Sequence, residues 1–317
     1  MACSKRWPSS HSMNRMDEFA QLATEARNPA TANLDSLSTA DLVRAFHAAD
    51  AEAVAAVERE LPHIAAAIDG IVARLDQGGR LFYLGAGTSG RLGVLDASEC
   101  PPTYNTPPEM VQGVIAGGDT ALRRSVERAE DDAAQGRRDL EEHGFSAKDA
   151  LVGIAASGRT PYVLGGVKYA RELGALSIGL SCVPGSRLAQ AAELEITPAT
   201  GPEVVTGSTR MKAGTATKLV LNMLSTGSLV RLGYVFGNLM VNVQPTNDKL
   251  RDRAVRIIRT VTGIDEPMAA ALLDHAGSVK TAIVMQKLAL DREAAEARLA
   301  AARGRLREAL AVSENSI

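Results

Sequence analysis

Aromatic residues make up only 3% of this 317-residue chain, and the single tryptophan, Trp7, lies near the N-terminus. That scarcity argues against a base-stacking platform for nucleic acid. A formal net charge of -2 gives neither nucleic acid nor an anionic membrane any bulk attraction. The cysteines Cys3, Cys100 and Cys182 form no CxxC pair and no disulfide framework, which points to a reducing, cytoplasmic compartment. The histidines, His11, His47, His63, His143 and His275, show no HxxxH spacing, so no metal site is expected. No apolar run reaches the ~20 residues of a membrane-spanning helix. Met1 to Arg15 lacks the apolar stretch of a secretory signal. Residues 1–28 read as a disordered extension, with Met13 and Met16 as alternative starts.

What is present is ordinary for a globular protein: 45% hydrophobic and 23% charged residues, enough for one large domain with a helical appendage. Within it, Leu81-Phe-Tyr-Leu-Gly-Ala-Gly-Thr-Ser-Gly-Arg91 joins an apolar strand to a helix through Gly85, Gly87 and Gly90. Glycine allows close backbone approach, the first helical N–H groups are unpaired, and Thr88 and Ser89 add donors. Such a junction suits a phosphate. A second junction follows Ala150 to Ala156, where Ser157-Gly158-Arg159-Thr160 precedes Pro161 at a helix start. Two such loops on successive βα units can converge on one ligand at the carboxyl edge of a sheet.

Strands are expected at Leu81–Leu84, Val111–Ala116, Leu151–Ala155, Leu176–Leu180 and Leu194–Thr197, with helices at Leu92–Glu99, Thr120–Glu142, Tyr162–Leu173 and Ser186–Ala192. Unalternating apolar strands predict a mainly parallel sheet covered on both faces. Before them, Ser38 or Thr39 caps a helix, and Pro62 opens another that Gly78-Gly79 ends. After them, Thr215–Leu232 reads as a long apolar helix with a buried or interface face. The last ~60 residues read as short helices broken near Gly263 and Gly277.

Two carboxylate groups stand out. Glu99 precedes Pro101-Pro102, which should stop its helix. A helix C-terminus and partial burial there would disfavour a charged carboxylate, as suits a general acid. Glu127 and Glu130, three apart, should share a helix face, and either could serve as a base. A third polar loop, Thr206 to Thr215, offers Ser208, Thr209, Arg210 and Lys212. Cations at a helix start oppose the helix dipole, so anion binding or a subunit contact is the expected reason for them.

Taken together, these stretches resemble the N-acetylmuramic acid 6-phosphate etherases. The resemblance covers about residues 30 to 300. It rests on Leu34 to Thr39, Gly85 to Arg91, Leu95-Asp-Ala-Ser-Glu-Cys-Pro-Pro-Thr-Tyr104, Ile154 to Tyr162, Val204 to Gly214 and Phe236-Gly-Asn-Leu-Met240. It departs at Asn105, where glycine is expected. The implied fold is an SIS-type (sugar isomerase) parallel sheet flanked by helices, a three-layer α/β/α arrangement with a small C-terminal helical portion. The domains would then be 29–255 and 256–317. The resemblance implies a homodimer, no cofactor, and acid/base glutamates at Glu99 and Glu130. It implies cleavage of the D-lactyl ether of the sugar phosphate, giving N-acetylglucosamine 6-phosphate and D-lactate. Gly87, Thr88, Ser89, Ser157, Gly158, Arg159 and Thr160 would hold the phosphate, with Ser208, Thr209 and Lys212 as further substrate contacts. Two rival functions fit the same loops: an aldose–ketose sugar-phosphate isomerase, and a sugar-phosphate sensor without catalysis like the glucokinase regulatory protein.

Overall fold

A computed structural model describes residues 23–126 and 128–311; Trp7, most of the expected extension and Glu127 lie outside the described residues. The chain forms two compact units. One comprises the residues up to Leu95 with Gln112–Met223, the other Asp96–Val111 with the chain from Leu224 onward.

The first unit opens with residues assigned above to an extension. Thr24 is buried, and the Asn28 side chain caps a short 3-10 turn, accepting from Ala30 N and donating to Pro202 O. Residues 23–28 therefore belong to this unit. Helix α1 (Thr39–Glu58) starts at Ser38, whose hydroxyl accepts from Asp41 N. Helix α2 (Leu61–Leu75) starts with Pro62 in its first turn and buries the stripe Ile64, Ala67, Ile71 and Leu75.

Strands β1 (Leu81–Gly85), β2 (Val111–Ile115), β3 (Ala150–Ile154), β4 (Leu176–Leu180) and β5 (Leu194–Ile196) form one sheet in the order β2-β1-β3-β4-β5. β1 with β3, β3 with β4, and β4 with β5 run parallel. Every residue of β1, β3 and β4 is buried, which is why these strands read as unbroken apolar runs. The switch in strand order falls between β1 and β3, where α/β sheets open a crevice for ligands.

Between the strands lie α3 (Gly87–Tyr104), α4 (Thr120–Arg123), α5 (Ala133–Glu142), α6 (Pro161–Leu173) and α7 (Arg187–Ala191). Two expectations fail here. Helix α3 does not stop before Pro101-Pro102 but carries both prolines inside it. Each lacks an N–H and removes one ladder bond. The ladder resumes with Asn105 N on Pro101 O at 2.8 Å, and the helix ends where Asn105 turns left-handed at φ 54°. Nor is Thr120–Glu142 one helix. It is α4, a break that begins with extended backbone at Arg124, a left-handed Arg128, a 3-10 turn at Ala129–Asp131, and then α5. Asp132 caps α5 by accepting from Gln135 N, and this bond is the main cause of the lowered pKa of its carboxyl.

Helix α8 (Lys212–Arg231) follows the third polar loop, and the division between the units falls within α3 and within α8. The second unit holds α9 (Asp248–Thr262), α10 (Glu266–Ala276), α11 (Val279–Leu288), α12 (Arg292–Ala301) and α13 (Leu306–Leu310). A boundary at 255/256 would cut α9, whose Val255, Ile257 and Ile258 belong to the same apolar core as Leu273, Ile283 and Val284. Gly263 and Gly277 end α9 and α10 as left-handed C-caps. Lys280, whose pKa burial lowers to about 8, donates to Gly233 O and Gly304 O at 2.9 and 2.7 Å.

Candidate functional site

The ends of β1 and β3 are paired, Gly85 against Ile154, so the two Ser/Thr loops leave the sheet side by side. Neighbouring strands run about 4.8 Å apart. At the first loop the strand end and the first turn of α3 touch. A Cβ on Gly90 would lie 2.6 Å from Ile115 Cγ1 and 2.7 Å from Gly85 O, so only glycine permits this crossing. Gly87 starts the helix with φ 54°, and its open side faces no protein atom within 4 Å. Thr88 and Ser89 follow in the first turn, half-buried, beside the unpaired N–H groups of α3.

At the second loop Gly158 has φ 65°, and a Cβ there would lie 2.2 Å from Ser186 Oγ. Ser186 cannot easily retreat, because it caps α7 through Ala189 N and shares a 3.0 Å hydrogen bond with Ser181. Thr160 is the N-cap of α6 but makes no capping hydrogen bond with its side chain. Ser157, Arg159 and Thr160 are half-buried around it.

The third polar loop reaches both of these. Cys182 N donates to Ala156 O at 2.9 Å, and the Cys182 sulfur contacts Ala213 O in the first turn of α8 at 4.0 Å. Burial pushes the Cys182 thiol up to about 12, so it is an inert packing group rather than a nucleophile. A Cβ on Gly214 would lie 3.7 Å from Thr88 Cγ2 and 3.7 Å from Thr209 O. The starts of α3 and α8 are thus neighbours.

Lys212 has a different role from a surface cation. It is 1% exposed, and its ammonium donates to Glu52 at 2.6 Å. The start of α8 is occupied by Glu203, wholly buried, whose two oxygens accept from Lys212 N and Ala213 N at 2.9 and 3.0 Å. The chain's own carboxylates therefore answer the basic first turn. Glu203 was missed in the sequence, because it lies nine residues before the N–H of Lys212 that it accepts from.

Glu130 sits in the 3-10 turn, exposed, and not on a helix face as expected. It lines a cavity of ≈ 340 Å³ together with Ala86, Gly87, Arg91 and Arg128. The structure thus brings Glu130 to the first glycine loop. Its segment is anchored through α5, where Asp139 accepts from the Tyr162 hydroxyl of α6 at 2.5 Å. Burial raises the Tyr162 phenol far above its ordinary value, with the Asp139 hydrogen bond adding to the shift. Glu99 lies about three turns beyond Thr88 on α3. It is exposed and more than a turn short of the helix end, within the second unit. Neither burial nor a helix C-terminus singles it out as a proton donor.

Residues 63–171 match the family model of the glucokinase regulatory protein N-terminal SIS domain. An N-acetylmuramic acid 6-phosphate etherase from Cronobacter sakazakii is 54% identical over 293 residues, covering 92% of this chain and 99% of the relative. A second, from Caldanaerobacter subterraneus subsp. tengcongensis, is 49% identical over 93% of this chain and 96% of the relative. The chain belongs to the N-acetylmuramic acid 6-phosphate etherase family. Among solved structures, a phosphoheptose isomerase from Neisseria gonorrhoeae aligns over 60% of this chain and all of its own, with 19% identity and a TM-score of 0.46. Asn105, where glycine is expected, has a left-handed backbone at φ 54°. The position demands a left-handed backbone, which glycine adopts freely and asparagine tolerates better than most residues.

Proposed function

We propose that this chain cleaves the D-lactyl ether of N-acetylmuramic acid 6-phosphate, releasing D-lactate and N-acetylglucosamine 6-phosphate in peptidoglycan recycling. The observation that carries the reading beyond family membership is the opening of Glu130 into the cavity beside Gly87. It puts a carboxylate next to a phosphate cradle, where a sensor of sugar phosphates needs only the cradle. Thr88, Ser89, Ser157 and Thr160 hold the 6-phosphate, with Gly87, Gly158 and Arg159 shaping the two loops and the first N–H groups of α3 and α6 adding donors. Ser208 and Thr209, at the third loop, contact the sugar. Lys212 acts there through its ion pair with Glu52.

An alkyl ether is inert until the adjacent carbon can give up a proton. In the open-chain sugar, C2 is activated by the C1 aldehyde. Glu130, ionised, takes the C2 proton. The C2–C3 double bond forms, the C3–O bond breaks, and the leaving oxygen takes its proton from Glu99 to give lactate. Glu99, now ionised, draws a proton from water as its oxygen adds to C3, and Glu130 returns a proton to C2. Each such group contributes about 10²–10⁴-fold. The phosphate supplies remote binding energy that holds C2 and C3 in place.

The enzyme acts in the cytoplasm as a homodimer. Among the described residues, no helix is long and apolar enough to cross a membrane. Helix α8 buries Val220, Leu221, Leu224 and Leu229, which explains its low polarity whether or not a second chain covers its remaining face. Sedimentation at micromolar concentration tests the dimer, and a monomer would refute it.

The activity is tested by incubating the protein with N-acetylmuramic acid 6-phosphate and assaying free lactate; no release would refute it. In deuterated water, Glu130→Gln should lose both C2 exchange and lactate release. Glu99→Gln should lose lactate release yet keep exchange, because deprotonation precedes departure. Exchange kept in Glu130→Gln and lost in Glu99→Gln would reverse the roles.

A further inference from the structure

Among the described residues, the cavity beside Gly87 is lined by one carboxylate, Glu130, and two guanidinium groups, Arg91 and Arg128. Arg91 uses its Nε to donate to Leu122 O at 3.2 Å, which ties it to the end of α4. Its two Nη atoms, and the whole Arg128 guanidinium, have no hydrogen-bonding or ionic partner among the described residues. Arg128 is also held left-handed, at φ 66°, a conformation that costs a non-glycine residue free energy and that clusters at functional sites. Among the described residues the cavity therefore carries surplus positive charge and unused forked donors. The 6-phosphate already has the two loops and their helix starts, so these donors face a different anion.

The proposed substrate supplies one. Its C3 substituent is a lactyl group, whose carboxylate is separated from C3 only by the ether oxygen and one carbon. Glu130 must reach the proton on the neighbouring C2. Two carboxylates forced this close repel each other, and an interposed cation removes the repulsion. We infer that Arg91, assisted by Arg128, receives the lactyl carboxylate and so distinguishes the etherase substrate from sugar phosphates without a lactyl group. Guanidinium is the fitting cation, because its planar fork matches both oxygens of a carboxylate. This inference rests on the reaction proposed above.

The test compares two constants in each variant: KM for N-acetylmuramic acid 6-phosphate, and the competitive Ki of N-acetylglucosamine 6-phosphate, which has the phosphate but no lactyl group. Arg91→Gln should raise KM about 10–100-fold, the loss of a charged hydrogen-bonded pair, and leave Ki within about twofold. Arg91→Lys should recover part of the loss, since charge remains but the fork does not. Arg128→Gln should raise KM by a smaller factor, again without moving Ki. It also serves as the deciding variant if Arg91→Gln fails to fold. A parallel rise in KM and Ki, or no rise in KM, would overturn the assignment. If the unmodified protein releases no lactate, the reaction itself is refuted; if it does and the KM/Ki ratio stays fixed in the variants, only the arginine assignment falls.

Discussion

The two glycine loops, proposed above as a phosphate cradle, and the segment carrying Glu130 meet at Gly87, yet they are built in opposite ways. These loops contain approaches so close that a methyl group does not fit: Gly85 against the backbone of Gly90, and Gly158 against the pinned side chain of Ser186. The described residues from Arg124 to Asp132 are largely exposed and irregular, and they are tethered at the far end by the cap of α5. Binding a fixed, symmetrical anion calls for donors that do not move. Proton transfer to and from a carbon whose geometry changes during reaction tolerates a carboxylate on a looser support. A sugar-phosphate fold can therefore acquire new chemistry by altering such a segment while its cradle stays unchanged.

Substitutions at the crossings test this contrast most severely. Gly158→Ala places a Cβ against Ser186 at a left-handed position and should cost about 2–4 kcal/mol, seen as a clear fall in Tm. Gly87→Ala is the control. It meets the same backbone penalty but open space, so it should cost only about 1–2 kcal/mol. Equal losses would show that close packing is not what holds the cradle. A smaller effect is expected from Ser157→Ala, which removes one neutral donor. KM should rise up to about tenfold with kcat little changed, and a phosphate-free sugar should be insensitive to the change. The smallest shift belongs to the other region. Arg128→Gly relieves the left-handed strain, though the freer unfolded chain offsets part of the gain, so stability should change by no more than about 1 kcal/mol in a chemical-denaturation experiment. A loss of several kcal/mol would mean that the arginine side chain holds the segment together.

The same contrast explains what the sequence revealed. The three central strands were legible because β1, β3 and β4 are buried on both faces, and unbroken apolar runs such as Leu151 to Ile154 have few other readings. Both glycine loops were legible because close approach and left-handed turns leave glycine as their signature. The break between α4 and α5 left no such mark. Ser125 to Arg128 contains neither glycine nor proline, and the left-handed position is filled by arginine, so the sequence there reads as unbroken helix. Asn105 shows the milder case, a left-handed position with a residue that tolerates it. The prolines at 101 and 102 misled in the other direction, because a helix near its last turn can give up two ladder bonds and still close on Asn105. Glu203 was not legible as a helix cap because it lies nine residues before the N–H of Lys212 that it accepts from, and only the fold brings them together.

That buried glutamate limits the ways a ligand can enter. The starts of α3 and α8 are neighbours, and α6 starts on the strand next to the one that leads into α3. Left open, all three would compete for one phosphate, and the sugar could be presented to Glu130 in several orientations. Glu203 acts as a permanently bound dummy ligand at the third. On the function proposed above, that leaves the phosphate a single docking point between the first two, and would fix which carbon of the sugar is turned toward Glu130 before any chemistry begins.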